Sequence, residues 1–295
     1  MCLVAFAINA SARWPLVIAS NRDEYFNRPA LPMAPWQTAA GRTIISGRDL
    51  QAGGTWLGIT PTGRMALLTN VRQIDANPAP LSRGALVMHW LENDMNAAQF
   101  MYQTDPLAYG GFNLVVGDFQ SNSWNWLSNR SFKEDETTNT TAHRPQALGW
   151  CSRLLLPGVY GLSNAALNTP WPKTISLRTT LSTTMAHGRD DPNNTRFEAN
   201  LWAALANINP ADKDALPDTG LPVALEQVLS SAFVDDPARG YGTRCSTLLL
   251  ASTAENQNHW NVLIKEKTYV RHEAIRPAFH DADPVVNHDV QWLRI

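Results

Sequence analysis

The sequence has few cysteines, almost no excess charge of either sign and no long hydrophobic run. Its 3 cysteines, among 295 residues, are odd in number and far apart. That spacing suits neither a disulfide framework nor a paired-cysteine zinc site, and it favours a reducing compartment. The 24 basic and 26 acidic residues nearly balance, at a net charge of −2. Without a run of like charges, nucleic acid and anionic membrane surfaces are poor partner candidates.

Apolar segments long enough for a membrane are also lacking. No run approaches the roughly 18 apolar residues that a spanning helix requires. The first apolar stretch, Cys2 to Ile8, has no basic lead-in and is soon interrupted by Asn9 and Ser11, unlike a secretory signal. We therefore expect a cytoplasmic protein without an integral membrane segment.

What the chain does contain is enough apolar material for a large core. Hydrophobic residues make up 44% of it and charged residues 17%, so we expect one domain over residues 1–295.

Gly53-Gly54 precedes a predicted strand instead of opening a helix, which is unlike a phosphate loop. The histidines lack the spacing of a metal site. We predict no cofactor and no metal, and the oligomeric state stays open.

Strand-like patterns dominate both ends of the chain, and helical periodicity dominates its middle. Strands are predicted at 2–8, 16–19, 55–60, 64–69, 112–116, 124–127, 158–163, 243–251, 259–264 and 268–271. Helices are predicted after Ser82 as N-cap, over 197–208 and over 225–233, with an exposed loop at 133–145. Grouped helices between strands predict an α+β fold of antiparallel sheets covered by helices.

Cys2 is the first candidate for chemistry, because initiator methionine is commonly removed before a small residue. The thiol and a free α-amino group would then share one residue. An α-amino group has a pKa of about 7.7–8.0, so it can accept the thiol proton. Position alone leaves a second interpretation, in which Cys2 is the first buried residue of a strand.

A polar cluster, residues 20–25, follows the strand predicted to pair with Cys2. Antiparallel pairing brings this cluster level with Cys2. Arg22 is then expected to lower the pKa of the thiol, and Asp23 to hold the new α-ammonium group. The alternative is a solvated turn.

These residues belong to motifs that run in order along nearly the whole chain. The motifs are Met1-Cys2, Asn21-Arg22-Asp23-Glu24, Gly47-Arg48-Asp49, Gly53-Gly54-Thr55-Trp56, Thr69-Asn70-Val71-Arg72, Gly161-Leu162-Ser163-Asn164, Thr169-Pro170-Trp171-Pro172-Lys173 and Tyr241-Gly242-Thr243-Arg244. The sequence thereby resembles the NRDE family, also called the transport and Golgi organisation "two" family. The resemblance implies a four-layer αββα sandwich of the N-terminal-nucleophile class, similar to the choloylglycine and penicillin V acylases, which cleave amides.

The resemblance also implies roles for individual residues. Cys2 stands at the nucleophile position and Asp23 where the new amino terminus is oriented. Asn70 matches an oxyanion-hole side chain, which can contribute about 3–4 kcal/mol to transition-state stabilisation. Asn164 matches a second amide near the substrate and the amino group, and Arg244 a late arginine near the nucleophile. Without the resemblance, both asparagines also read as strand-end residues that start a turn.

Arg22 departs from the acylase pattern. Those enzymes place an arginine three residues before the aspartate, whereas here Arg22 directly precedes Asp23. Adjacent strand residues point to opposite faces. If Asp23 faces Cys2 and the strand continues, Arg22 is expected to point away.

Two functions remain open. The first is hydrolysis of a C–N amide bond of a small molecule through a covalent acyl-enzyme. The second, which the family resemblance also raises, is non-catalytic intracellular binding and trafficking of haem or of acyl-CoA or another lipid. In either case the ligand is a small amide, an acyl compound or haem. Trp56, Trp124, Trp126 and Trp171 are candidates to line an apolar pocket for it.

Overall fold

The computed structural model describes residues 2–73, 78–131, 146–187, 194–253, 259–269 and 286–293. The helices are α1 (Gly84–Glu92), α2 (Ala97–Gln103), α3 (Pro172–His187), α4 (Thr195–Leu205) and α5 (Val223–Val228). The strands are β1 (Cys2–Ile8), β2 (Leu16–Tyr25), β3 (Ala30–Gln37), β4 (Thr43–Asp49), β5 (Leu57–Ile59), β6 (Arg64–Asn70), β7 (Phe112–Asp118), β8 (Ser123–Ser131), β9 (Gln146–Leu154), β10 (Gly158–Leu162), β11 (Asp235–Asp236), β12 (Tyr241–Thr253), β13 (His259–Thr268) and β14 (Val286–Leu293).

The strands form two antiparallel sheets. The first has the order β10-β1-β2-β12-β13-β14, with β11 paired to β12. The second follows the chain from β3 to β9 as a meander. The first sheet therefore brings the N-terminal hairpin between strands from the middle and the end of the chain.

Alternation along β1 shows how the layers stack. Val4, Phe6 and Ile8 belong to the cluster that also contains Leu67 and Val115 of the second sheet, so this face fills the space between the two sheets. Because successive strand residues alternate in direction, the intervening side chains of β1 face the other way. All of these positions are buried, so β1 is covered on both faces.

Helices cover the two outer faces. Leu3 and Ala5 of β1 pack in one cluster with Leu177 of α3 and Leu201 of α4. A third cluster joins the outer face of the second sheet to α1 and α2, including Phe100. The order of layers is helix, sheet, sheet, helix, which confirms the predicted αββα sandwich. Among helices in the described part of the chain, none combines the length and apolarity needed to cross a membrane.

Several predicted boundaries are wrong. Strand β2 continues to Tyr25, so the polar cluster is strand and not a turn after one. Pairing on both sides, with β1 and β12, keeps this polar segment extended. The break predicted between 264 and 268 is also wrong, because Glu266 continues β13 with its carboxylate buried and accepting the Met33 N–H at 2.7 Å. The predicted loop at 133–145 lies outside the described residues.

The helix boundaries differ as well. Arg83, not Ser82, is the N-cap of α1, and no side chain caps that end. The two later helices are shorter than predicted, ending at Leu205 and Val228. The start of α1 is fixed by packing instead, since a Cβ on Gly54 would come within 2.5 Å of the backbone carbonyl carbon of Gly84. The glycine pair of the Gly53-Gly54-Thr55-Trp56 motif therefore seats a helix against a loop.

Strands β3, β4, β9, β11 and β14 and helices α2 and α3 were not predicted. The edge strand β3 contains Pro32 and Pro35, which argue against a strand in sequence. An edge tolerates proline because one side of the strand needs no ladder hydrogen bonds.

Candidate active site

The register between β1 and β2 sets the orientation of the candidate nucleophile. Cys2 pairs directly with Arg22, and Arg22 pairs on its other side with Cys245. Side chains directly opposite each other in an antiparallel pair share a face. Cys2 and Arg22 therefore both point toward the space between the sheets. The strand does continue, and it is Asp23 that takes the opposite face.

Cys2 opens onto a cleft of about 540 Å³. The cleft is lined by the ends of β1, β2, β4 and β6, the loop before β5, the start of α1 and the turn before β7. The lining residues are Cys2, Arg22, Asp23, Glu24, Arg28, Asp49, Ala52, Thr55, Trp56, Leu68, Asn70, Val71, Gln73, Pro78, Ala79, Leu81, Ser82, Arg83, Gly84, Gly110 and Gly111. Four of the six predicted site residues thus meet here, and Asn164 and Arg244 do not line the cleft.

The thiol of Cys2 is half-buried. Burial raises its pKa above the ordinary value, the charge of Asp23 adds to the rise, and the Arg22 guanidinium opposes it. Arg22 thus acts in the predicted direction, but burial outweighs it and the net pKa of the thiol is raised. A protonated thiol at neutral pH needs a base before it can attack.

Asp23 is almost fully buried, at 1% exposure, on the face that α3 covers. Its Oδ1 accepts a hydrogen bond from the Thr243 hydroxyl at 2.7 Å, and its backbone carbonyl accepts one from the Tyr241 hydroxyl at 3.0 Å. Burial raises the pKa of this carboxyl, while the charge of Lys173 opposes the rise. The Tyr241-Gly242-Thr243 motif is thus the support of Asp23.

Lys173 ends the Thr169-Pro170-Trp171-Pro172-Lys173 motif, and no role was predicted for it. Its side chain is 5% exposed, and Nζ donates to the Leu229 carbonyl at 2.8 Å. Burial lowers the pKa of Lys173 to about 8, with the charge of Asp23 acting against that fall. One sequence signal was available: a lysine in the first turn of a helix opposes the helix dipole, so its presence there suggests a carboxylate partner.

The two asparagines occupy different places. Asn70 ends β6 and lines the cleft. Asn164 is buried, its side-chain amide donates to the Asn70 backbone carbonyl at 2.8 Å, and its Oδ1 accepts from the Ser163 hydroxyl at 3.2 Å. The same hydroxyl reaches the Cys2 carbonyl at 3.1 Å. Asn164 therefore ties the end of β6 to the strand of the nucleophile, and its amide is directed at backbone.

Arg22 lies in a network of charges beside the thiol. Its guanidinium carbon lies 4.3 Å from the centre of the Trp56 ring, and Nη2 lies 3.9 Å from Asp49 and 4.0 Å from Glu24. Arg28 Nε contacts the same Asp49 carboxylate at 2.7 Å. Stacking and ion pairing together hold Arg22 at the cleft, 6% exposed.

Of the tryptophans proposed to line a pocket, one lines this cleft and another lines a separate small pocket. Trp56 lies in the cleft wall, whereas Trp124 and Trp126 fill the core between the sheets. Trp171 lines a small pocket beside Arg72, whose guanidinium carbon lies 4.8 Å from the centre of the Trp171 ring. Among the residues described, no three His, Cys, Asp or Glu side chains form a group that could hold a metal ion.

Arg244 clamps the backbone that follows β2. Its Nη1 donates to the carbonyls of Tyr25 at 2.8 Å, Phe26 at 2.9 Å and Arg28 at 3.2 Å. These bonds fix the turn from which Arg28 reaches the cleft. Arg244 thus supports the site from outside it.

Comparison with known proteins gives consistent matches over most of the chain. The model of a family described as "Transport and Golgi organisation 2" matches residues 1–270. The Transport and Golgi organization protein 2 homolog of Bos taurus is 31% identical over 267 residues, covering 85% of this chain and 88% of the relative. The homolog of Mus musculus is 34% identical over 185 residues, covering 59% and 60%. That of Homo sapiens is 29% identical, covering 85% and 88%.

Two solved structures are similar at lower identity. One is the Caenorhabditis elegans ortholog of N-acylethanolamine-hydrolyzing acid amidase, with a TM-score of 0.45, 11% identity and coverage of 84% of this chain and 92% of that one. The other is a mutant conjugated bile acid hydrolase from Clostridium perfringens, with a TM-score of 0.48, 8% identity and coverage of 98% and 96%. Proteins this divergent commonly differ in activity.

Proposed function

The chain belongs to the Transport and Golgi organisation 2 family, and from the geometry of its cleft we propose that it is a cysteine N-terminal-nucleophile hydrolase that cleaves a C–N amide bond of a small molecule. One observation carries the proposal. Cys2, at the start of β1, opens onto a cleft of about 540 Å³ with Arg22 on its own face and the buried Asp23 directly behind. A cleft of this volume is in the range of small-molecule sites.

The base in this mechanism is the α-amino group of Cys2, free once Met1 is removed. The raised pKa of the thiol leaves it protonated at neutral pH, so a base is required. No histidine is among the described residues that line the cleft. An α-amino group, with a pKa of about 7.7–8.0, is partly neutral at cellular pH and can take the proton.

Strand geometry supports a role for Asp23 beside that amine. Cys2 pairs with Arg22, and the two strands run in opposite directions. The backbone nitrogen of Cys2 therefore points along the sheet toward the level of Asp23, the residue after Arg22. The carboxylate then holds the α-ammonium group, and the charge of Lys173 opposes the rise that burial causes in the pKa of the carboxyl. Thr243 orients the carboxylate by its hydrogen bond.

The reaction follows in two halves. The amine takes the thiol proton, and the sulfur attacks the amide carbonyl to form a C–S bond and a tetrahedral oxyanion. The oxyanion collapses, the C–N bond breaks, and the ammonium returns its proton to the leaving nitrogen. Water, deprotonated by the same amine, then attacks the thioester, which releases the acid and restores the thiol.

The remaining site residues act on charge and position. Asn70 lines the cleft, and we assign its side-chain amide to the oxyanion. Arg22, on the face of the thiol, stabilises the thiolate that forms during transfer. Asn164 and Arg244 are positioning residues, the first through the backbone of Asn70 and the second through the turn after β2.

Mass spectrometry of the intact protein tests the proposal. We expect loss of Met1, and after incubation with a panel of acyl p-nitroanilides and rapid acid quenching we expect one added acyl group, mapped to Cys2. Cys2→Ala should lose both the adduct and nitroaniline release. Cys151→Ala is the matched control, because Cys151 is also half-buried but lies in β9, away from the cleft.

Other outcomes would contradict the hydrolase. A retained Met1 removes the free amine, and an unmodified Cys2 removes the nucleophile. Should haem or an acyl-CoA instead bind with the same affinity to wild type and to Cys2→Ala, without turnover, the protein would be a carrier. A haem Soret band that survives Cys2→Ala is the spectroscopic form of that result.

A further inference from the structure

Most charges of the cleft are compensated within it. Arg22 and Arg28 lie within 4.0 Å of Glu24 and Asp49. These four side chains give no net charge. The cations that remain are therefore the ones available to a ligand.

Arg83 is such a cation. It lines the cleft just before α1, half-buried, and its Nη1 donates to the Gly111 carbonyl at 3.2 Å. Gly110 allows this approach, since a Cβ there would come within 3.3 Å of the same nitrogen. Within the described ranges, no carboxylate lies within 4.0 Å of Arg83. Withdrawing a guanidinium from water without a counter-ion is costly, so an anion at this place would be stabilised.

A second arginine increases the positive charge behind this wall. Arg130 is 8% exposed, and its Nη2 donates to Gln73 Oε1 at 3.0 Å. Among the described residues, Nε of Arg130 has no hydrogen-bond partner, and no carboxylate lies within 4.0 Å of its guanidinium. Gln73 itself lines the cleft and is held by the Gly111 N–H at 3.2 Å. Burial lowers the pKa of Arg83, the charge of Glu24 opposes the fall, and the charges of Arg28 and Arg130 add to it.

The N-terminal end of α1 is also positively polarised. Ser82, Arg83 and Gly84 all line the cleft, and no side chain caps this end of the helix. The N-terminal end of a helix carries a partial positive charge. Guanidinium and helix end thus face one region of the cleft that contains Cys2.

We propose that the substrate of this hydrolase is an acyl compound with an anionic group, which Arg83 binds while the amide carbonyl lies at Cys2. The proposal rests on the proposed function and narrows its substrate class. Carboxylate and phosphate both fit a guanidinium, because each accepts two parallel hydrogen bonds.

Matched substrates separate this proposal from general hydrolysis. Glutaric acid mono-p-nitroanilide carries a free carboxylate, its methyl ester is the neutral match, and an analogue ending in a phosphonate replaces the carboxylate. For wild type, kcat/KM should be about 10- to 100-fold higher for the better anionic compound than for the ester, as expected for a charge-assisted contact. The anionic compound with the higher kcat/KM shows whether the site prefers a carboxylate or a phosphonate.

Variants of Arg83 test whether this residue causes the preference for anionic compounds. Arg83→Gln should lose the preference, mainly through KM, with the ester little changed, and Arg83→Lys should keep part of it. Arg153→Gln, an exposed position of β9, is the control. For wild type, rising ionic strength should reduce kcat/KM for the anionic compounds only, a test that does not depend on folding of any variant.

Equal rates for acid, phosphonate and ester in wild type would overturn the proposal, as would an equal loss for all three in Arg83→Gln. If no compound is hydrolysed, the proposed function fails and binding decides the inference separately. In that case calorimetry with Cys2→Ala should still show tighter binding of an anionic compound than of the ester. Binding without that difference would overturn the anion site.

Discussion

Thr243 offers a sharp test of how the buried carboxylate is held. Its hydroxyl donates to Asp23 Oδ1 at 2.7 Å and accepts the Val234 N–H at 2.9 Å, in a side chain that is 2% exposed. Thr243→Val keeps the shape and removes both bonds. Thr243→Ser keeps the hydroxyl and removes one methyl group.

The expected loss of unfolding free energy follows from these two hydrogen bonds. A hydrogen bond to a charged group contributes about 1.5–3 kcal/mol, and a buried N–H left without an acceptor costs about 1–3 kcal/mol. We therefore expect Thr243→Val to lower the free energy of unfolding by about 3–5 kcal/mol at neutral pH. Loss of a buried methyl group in Thr243→Ser should cost only about 1 kcal/mol.

Urea titrations at several pH values measure both variants. The Thr243 bond favours the charged carboxylate, so its removal raises the pKa of Asp23 further. The deficit of Thr243→Val should accordingly shrink as the pH falls through the raised pKa of the folded protein. Valine and serine variants of equal stability, or a deficit independent of pH, would refute the assignment of this bond to a charged Asp23.

Three further predictions concern stability. The pKa of Lys173 is about 8 in the folded protein, against an ordinary value of 10.5. Between these pH values the unfolded chain binds more protons than the folded one, so the free energy of unfolding should rise with pH. Urea titrations should show this rise for the wild type and not for Lys173→Met. Asn21→Ala should cost about 2–4 kcal/mol by urea unfolding, since its amide donates to two buried backbone carbonyls; a cost under about 1 kcal/mol would contradict this. Gly54→Ala should cost at least about 1–3 kcal/mol and lower Tm, because its Cβ meets the backbone of Gly84; an unchanged Tm would show that α1 can shift freely.

The N-terminal hairpin shows how far local reasoning reaches. Alternation and the short turn predicted that the segment containing Arg22 and Asp23 lies level with Cys2, and the register confirms it. Pattern also predicted antiparallel sheets covered by helices, whereas the four-layer αββα order was implied by the family resemblance, and the structure confirms both. Boundaries were less accurate where polar side chains are buried, as in β2 and at Glu266.

The direction of the β2 side chains was decided by the register with β1, and their contacts by the other elements packed around β2. A strand of ten residues fixes that Arg22 and Asp23 diverge, but not which of them shares a face with Cys2. The pairing with β12 supplied the support of Asp23 from residue 243, far along the chain. Asn164 likewise acquired its partner, the Asn70 carbonyl, from a strand of the other sheet.

The sequence by itself determined the α+β class, the N-terminal hairpin and the residue types that meet at its open end, because strand period and turn chemistry act over a few residues. Only the tertiary structure decided in which direction the pKa values of the site groups shift and which cation lacks a carboxylate partner among the described residues. Burial raises the pKa of Cys2 and Asp23 and lowers that of Lys173, and it leaves Arg83 without a carboxylate among the described residues. Desolvation and charge pairing depend on every element packed around a group, which no local pattern contains.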